Sequence, residues 1–103
     1  MSIIAELSVA PVVEGSMSEK IADAIDALDA HDVSYQTYPM GTVIEAPSLD
    51  ELFRAVKAAH RAVDADRVST LLKIDDTRTR ERSADEKVAS VRDALGRNPE
   101  ETG

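Results

Sequence analysis

A glutamate closes the segment Pro39-Met40-Gly41-Thr42-Val43-Ile44-Glu45, whose preceding two residues are aliphatic. Burying an unpaired carboxylate is costly. Glu45 therefore faces a binding pocket, or it faces solvent, or it pairs with a cation such as Lys73. Alternation along an extended chain puts Glu45 on the side of Val43. The same alternation groups Glu6 with Ser8 in the first apolar segment and separates Lys73 from Leu72 and Ile74 in the last. Where these segments neighbour one another in a sheet, Glu6, Ser8, Glu45 and Lys73 converge on one face. Carboxylates there suit a cationic or amine-bearing small molecule, and Ser8 adds a hydrogen-bond partner. Met40, Tyr38 and Tyr35 can supply an apolar or aromatic wall. The same cluster can equally be the polar part of a subunit interface.

A second group of candidates lies in Lys73-Ile74-Asp75-Asp76-Thr77-Arg78-Thr79-Arg80-Glu81-Arg82. From Arg67 to Arg82 the chain nets +2 while the remainder nets −10, so this stretch contrasts with its surroundings. Arg78, Arg80 and Arg82 can grip a carboxylate or phosphate, or pair with Asp75, Asp76 and a neighbouring subunit's acidic surface. Asp75-Asp76 supplies too few oxygen ligands for Mg²⁺ or Ca²⁺. His31 and His60 lack ligand-type partners at helical spacing, which favours structural roles over a metal or general-base role. No Gly-rich phosphate loop and no nucleophile elbow occurs. No catalytic residue and no metal site is therefore expected.

The elements that must position these residues are legible from patterning. Ser16-Met17-Ser18-Glu19, Ser48-Leu49-Asp50-Glu51 and Ser83-Ala84-Asp85-Glu86 each read S-x-x-E. In that capping box the serine satisfies an N–H of the first helical turn and the glutamate reaches back to the cap. Apolar residues at helical period follow each one: Ile21, Ile25 and Leu28; then Leu52, Val56, Ala59 and Val63 with Phe53 beside them; then Val88, Val91 and Leu95 before Gly96. Period-two segments fill the gaps. The first places Ile3, Ala5, Leu7 and Val9 on one side and ends at Pro11. Val33 to Tyr38 and Thr42 to Ala46 are joined by Pro39-Met40-Gly41, a turn in which Gly41 can take a positive φ. Val68 to Ile74 forms the last.

The order β-α-β-β-α-β plus a further helix is the split βαβ, or ferredoxin-like, arrangement of the α+β class. Right-handed crossovers put the two main helices on one face of an antiparallel sheet of order 4-1-3-2. The opposite face, with Ile4 and Leu71 beside Glu6, Ser8 and Lys73, then requires cover from the third helix, a second subunit or both. A single domain is expected over residues 1–96, with a polar tail over 97–103.

At 103 residues with 43% hydrophobic content, the chain can build one small core. Its formal net charge of −8 argues against binding nucleic acid or anionic membranes. The absence of cysteine excludes disulfides and thiolate chemistry. No apolar run approaches the ~20 residues of a membrane span, and MSIIAELSVAP lacks the basic lead of a secretory signal; a cytoplasmic location follows. The excess of Asp over Glu, with few Lys, is a surface composition found in high-salt cytoplasm as well as in ordinary acidic proteins.

E-L-S-V-A-P near the start, P-M-G-T-V-I-E, A-V-K-A-A-H and L-K-I-D-D-T-R before E-K-V together resemble the small thiamine-binding-protein family over roughly residues 2–95. The resemblance implies a ferredoxin-like dimer or tetramer that binds thiamine or its hydroxymethylpyrimidine part, with no reaction assigned. It carries Ser8, Thr42 and Glu45 over as motif positions near the pocket, and Lys73, Asp75 and Arg78 as positions of the second motif. Val12-Val13-Glu14-Gly15 departs from the Gly- and Ser-richer first loop of such proteins.

The combined expectation is a non-catalytic thiamine-binding module without a cofactor. Its pocket would lie at the open sheet face or subunit interface, lined by Ser8, Thr42, Glu45, Tyr38, Met40, Glu6 and Lys73. Asp75 and Arg78 would make anion or interface contacts. The rivals are a homo-oligomeric interaction module without a ligand, an enzyme acting on a thiamine precursor, and a sensor that responds through the Arg78–Arg82 loop.

Overall fold

The computed structural model describes residues 3–79 and 83–97. Along the chain run β1 (Ile3–Pro11), α1 (Ser18–Leu28), β2 (Ser34–Tyr38), β3 (Gly41–Ala46), α2 (Leu49–Ala62), β4 (Val68–Asp75) and α3 (Ala84–Leu95). The strands form one antiparallel sheet ordered β2-β3-β1-β4. This is the ferredoxin-like order expected from the element sequence.

Period-two alternation decides what each face of the sheet carries. Ile3, Ala5 and Leu7 of β1 and Ile44 and Ala46 of β3 are buried beneath the helices, where they meet Leu52, Ala55, Val56 and Ala59 of α2. Registers Ala5↔Ile44 and Leu7↔Leu72 keep these apolar sets in step across the central strands. Slipping one residue would turn every one of them to the other face. Ile4, Glu6 and Ser8, with Val43, Glu45, Leu71 and Lys73, occupy the opposite face.

Two of the three expected capping boxes form in part. Ser48 accepts from the Glu51 N–H at 3.2 Å, and Ser83 from the Glu86 N–H at 3.1 Å. The first does not. Met17 occupies the cap position in a helical conformation with no side-chain cap, and Ser16 Oγ instead accepts from the Ser18 N–H at 3.3 Å. A second correction concerns Gly41, whose φ is not positive. Glycine is favoured there by close approach, since a Cβ would stand 3.0 Å from the Leu7 carbonyl oxygen, a tight contact that the neighbouring strand would have to relieve. Phe53, beside the core-facing residues of α2, lies outside the core and is 52% exposed.

Helix α3 ends as expected at Gly96, which takes the left-handed conformation with φ of 72°. None of its residues is buried, and Val88, Val91 and Leu95 are each about half exposed. The open sheet face is therefore met by the beginning of α3 and left uncovered elsewhere, with Leu71 71% exposed. No helix among the described residues is long and apolar enough to cross a membrane. The polar tail beyond Arg97 lies outside the described residues.

Candidate functional site

Beneath α1, where β1 ends and the β2–β3 hairpin turns, lies a cavity of about 270 Å³. Its walls follow from the alternation already described. Ala24 and Leu28 of α1 are buried, whereas Ile21 and Ile25 are only half-buried because they border this space rather than the sheet. The hairpin contributes Thr37, Tyr38, Pro39, Met40 and Thr42, and β1 contributes Leu7 to Ala10. The lining is mainly apolar with a few hydroxyls. Thr37 Oγ1 and Thr42 Oγ1 stand 3.3 Å apart, and Thr42 is buried. Met17 and Met40 supply polarisable sulfur at the edge, a good neighbour for an aromatic ring. A small heteroaromatic ring with one or two hydrogen-bonding groups suits such a lining.

The opposite face of the sheet is built differently. Glu45 accepts a hydrogen bond from the Ala84 N–H, the first of α3, so its carboxylate sits at the positive end of that helix. Lys87, one turn further on, pairs with Asp75 at the end of β4. The first turn of α3 is thus fastened to the sheet at two points. A cavity of about 360 Å³ between β2, β3 and α3 is lined by Ser34, Gln36, Tyr38, Val43 and Glu45 among others. A shallower one of about 210 Å³ holds Glu6, Lys73, Asp75 and Lys87.

The structure thus divides the ligand set expected from sequence. Met40 and Thr42 line the cavity under α1, and Ser8 and Tyr38 border it, although strand alternation turns the Ser8 side chain to the face that carries Glu6. Glu45, Glu6 and Lys73 lie on the other face, with Glu6 paired in register with Lys73. Thr42 and Glu45 are three residues apart in one strand, an odd spacing that forces their side chains to opposite faces. Glu45 also has a partner that spacing could not reveal, because Ala84 is 39 residues away. Tyr35 points to the helix side and donates to Asp29 Oδ1 at 2.5 Å; that bond, with nearby Asp26 and Asp29 charge, raises its pKa. Arg78 pairs with Asp76 at 3.2 Å and Asp75 with Lys87. Arg80, Glu81 and Arg82 lie outside the described residues. His60 Nδ1 meets Thr70 Oγ1 at 2.5 Å, fixing α2 to β4. Among the described residues no group of three or more His, Cys, Asp or Glu is placed to hold a metal ion. Sequence reasoning missed Thr37, whose signal was its register opposite Thr42.

Glu45→Gln is expected to loosen α3 by about 1 kcal/mol, since a neutral acceptor replaces a charged one. Amide exchange at Ala84 to Val88 should rise several-fold while the cavity under α1 is unaffected. Unchanged exchange there would show that Glu45 does not anchor the helix.

Comparisons with known proteins agree with this architecture over nearly the whole chain. A "UPF0045 protein" of Methanothermobacter thermautotrophicus is 47% identical over 98 residues, covering 90% of this chain and 99% of that one. The crystal structure of a hypothetical protein from Methanocaldococcus jannaschii superposes with a TM-score of 0.81 at 36% identity, over 87% of this chain and 95% of that one. A Thermotoga maritima protein, assigned provisionally to thiamine biosynthesis or salvage, superposes with a TM-score of 0.77 at 26% identity, over 89% and 100% of the two chains. The family model described as "Thiamine-binding protein" matches residues 5–92, a span that takes in all of the sheet but the first two residues of β1, both main helices and most of α3. This chain belongs to the thiamine-binding protein family.

Proposed function

We propose that this protein binds thiamine, or its hydroxymethylpyrimidine part, without transforming it, and that the ligand ring enters the cavity between α1 and the β2–β3 hairpin. The observation that carries this reading is the coincidence of motif and cavity. Thr42, which the sequence resemblance marks as a motif position, is buried beside one mainly apolar space with Tyr38 and Met40 at its edge, and β1 borders that space at Ser8, the other such position. A neutral aminopyrimidine presents donors and acceptors that the Thr37 and Thr42 hydroxyls can meet. The thiazolium cation then lies toward the rim, beside Tyr38, where an aromatic face and the chain's negative field favour it. Glu45 has no part in this pocket, because its carboxylate holds α3. The protein acts in the cytoplasm as a homodimer or homotetramer, in which a second copy covers the exposed stripe of Val88, Val91 and Leu95.

Thermal unfolding tests the reading directly. Thiamine and hydroxymethylpyrimidine should each raise the Tm in a concentration-dependent way, as any ligand of the folded state alone must. A flat Tm with both compounds at millimolar concentration would overturn it. Thr42→Val keeps the shape of the side chain and removes its hydroxyl. It should weaken binding about tenfold, near 1.4 kcal/mol, the scale of one buried hydrogen bond.

The apolar stripe on α3 favours a second reading, a homo-oligomeric interaction module with no small-molecule ligand. Sedimentation combined with calorimetry separates the two. An oligomer that takes up neither compound supports the second.

A further inference from the structure

Strand β4 closes the sheet on the side away from the β2–β3 hairpin, and among the described residues nothing pairs with its outer edge. Its eight residues run in unbroken register with β1, from Asp75 opposite Ile4 to Val68 opposite Pro11. They include no proline, no glycine and no bulge. Proteins normally blunt an open edge with such a device, or keep the strand very short. The other edge, β2, is five residues long and is followed by Pro39.

The backbone phase of β4 is set by its neighbour. The Val12 N–H donates to the Arg67 carbonyl, one step beyond Pro11↔Val68 in the same register. In an antiparallel ladder, hydrogen-bonded and non-hydrogen-bonded pairs alternate. The odd-numbered residues from Arg67 to Asp75 therefore turn their backbone groups toward β1. Val68, Thr70, Leu72 and Ile74 turn theirs to the bare edge. The odd-numbered side chains share the open sheet face. Leu71, in the middle of them, is 71% exposed. Arg67 and Asp75, of opposite charge, stand four residues to either side of it. Lys87 pairs with Asp75 through Oδ2, and the Asp75 side chain is still 45% exposed.

We infer that a second copy of this chain docks on this edge, its β4 antiparallel to the first about a two-fold axis through Leu71, so that two four-stranded sheets continue as one. This deepens the homo-oligomer part of the proposed function, on which it rests, and it uses a surface other than the α3 stripe. A two-fold contact must be self-complementary, and this one is. It sets Arg67 opposite the partner's Asp75, and Asp75 opposite the partner's Arg67. Ser69 then faces the partner's Lys73, and Val68 the partner's Ile74. A slip of one residue would bring opposite sheet faces together. A slip of two residues one way sets Lys73 opposite the partner's Arg67, and like charges repel there. The same slip the other way parts Arg67 from Asp75 and brings a carboxylate, Asp76, to Val68. The spacing of charge along the strand thus selects one register.

Sedimentation equilibrium and cross-linking of the full chain test this inference. Leu71 projects into solvent in a lone copy, so substitutions there leave the core of the subunit intact. Leu71→Asp sets two carboxylates against each other on the axis and should halve the mass of the assembly. The chain has no cysteine of its own. In Leu71→Cys the two new thiols occupy a non-hydrogen-bonded pair, with Cα atoms about 4.5 Å apart, within the span of a disulfide. Mild oxidation should convert this variant to a covalent dimer. Lys73→Cys lies roughly 13 Å along the strand from its own copy in this register and should stay uncross-linked. An undiminished mass in Leu71→Asp, or equal cross-linking at the two positions, would overturn the inference. Should Val91→Asp on α3 halve the mass while Leu71→Asp does not, the α3 contact stands and this one falls. A wild-type chain that sediments as a single copy would overturn both.

Discussion

Ala24→Leu is expected to lower the affinity for thiamine about a hundredfold, near 2.7 kcal/mol, while leaving the chain folded. Ala24 is buried on the inner face of α1 and contributes to the lining of the cavity. Three further carbon atoms there project into a space of about 270 Å³ and take room that the ligand ring requires. Leucine is among the better helix formers, so α1 itself is not weakened. Cores that are already full lose about 1–3 kcal/mol when enlarged; this site has room, so the Tm without ligand should stay level or rise. Titration of the variant with thiamine gives the answer. Wild-type affinity in a folded variant would place the ligand elsewhere.

The converse substitution carries the largest effect on stability. Leu28 is 1% exposed at the end of α1 and belongs both to the core and to the cavity wall. Leu28→Ala removes buried methyl groups beside an existing void, so the surroundings have little with which to refill the space. The expected loss is about 2–5 kcal/mol, a large part of the roughly 5–15 kcal/mol that stabilises an ordinary domain. A fall in Tm of at least about 8 °C follows for a chain of this size. Thiamine should recover part of that loss by mass action. A decrease below about 1 kcal/mol in denaturant unfolding would show that Leu28 is not a keystone of the core.

How far the sequence discloses this molecule depends on the distance over which each feature acts. Strand faces are local, and alternation in Ile3–Pro11 and Gly41–Ala46 predicts them residue by residue. The helix starts at Ser48 and Ser83 are local too, and their S-x-x-E spacing predicts them correctly. The same spacing at Ser16 fails because the chain enters α1 through Met17 in a helical conformation, which leaves Ser16 one position too early to cap the first turn. Gly41 is legible as a favoured glycine but not for its actual reason, since the crowding atom belongs to β1. Glu45 shows the limit most clearly. Its place on the open face follows from counting, whereas its bond to Ala84 depends on where a helix 39 residues later comes to rest. The division of the expected ligand set between two faces was implicit in the odd spacing of Thr42 and Glu45. The two faces carry separate cavities, a mainly apolar one on the Thr42 side and others lined by Glu45, Glu6 and Lys73.

The turn between β2 and β3 has a consequence for how such a pocket changes its taste. Gly41 is constrained, since a side chain there would crowd the Leu7 carbonyl and oblige it to give by a few tenths of an ångström. Pro39 and Met40, immediately before it, stand in the open, with Met40 85% exposed, yet both border the cavity. Variation there can remodel the doorway while the frame keeps its shape. Selectivity can therefore drift through two solvent-facing positions with little penalty to folding, and one small scaffold can be retuned to related ring compounds without being rebuilt.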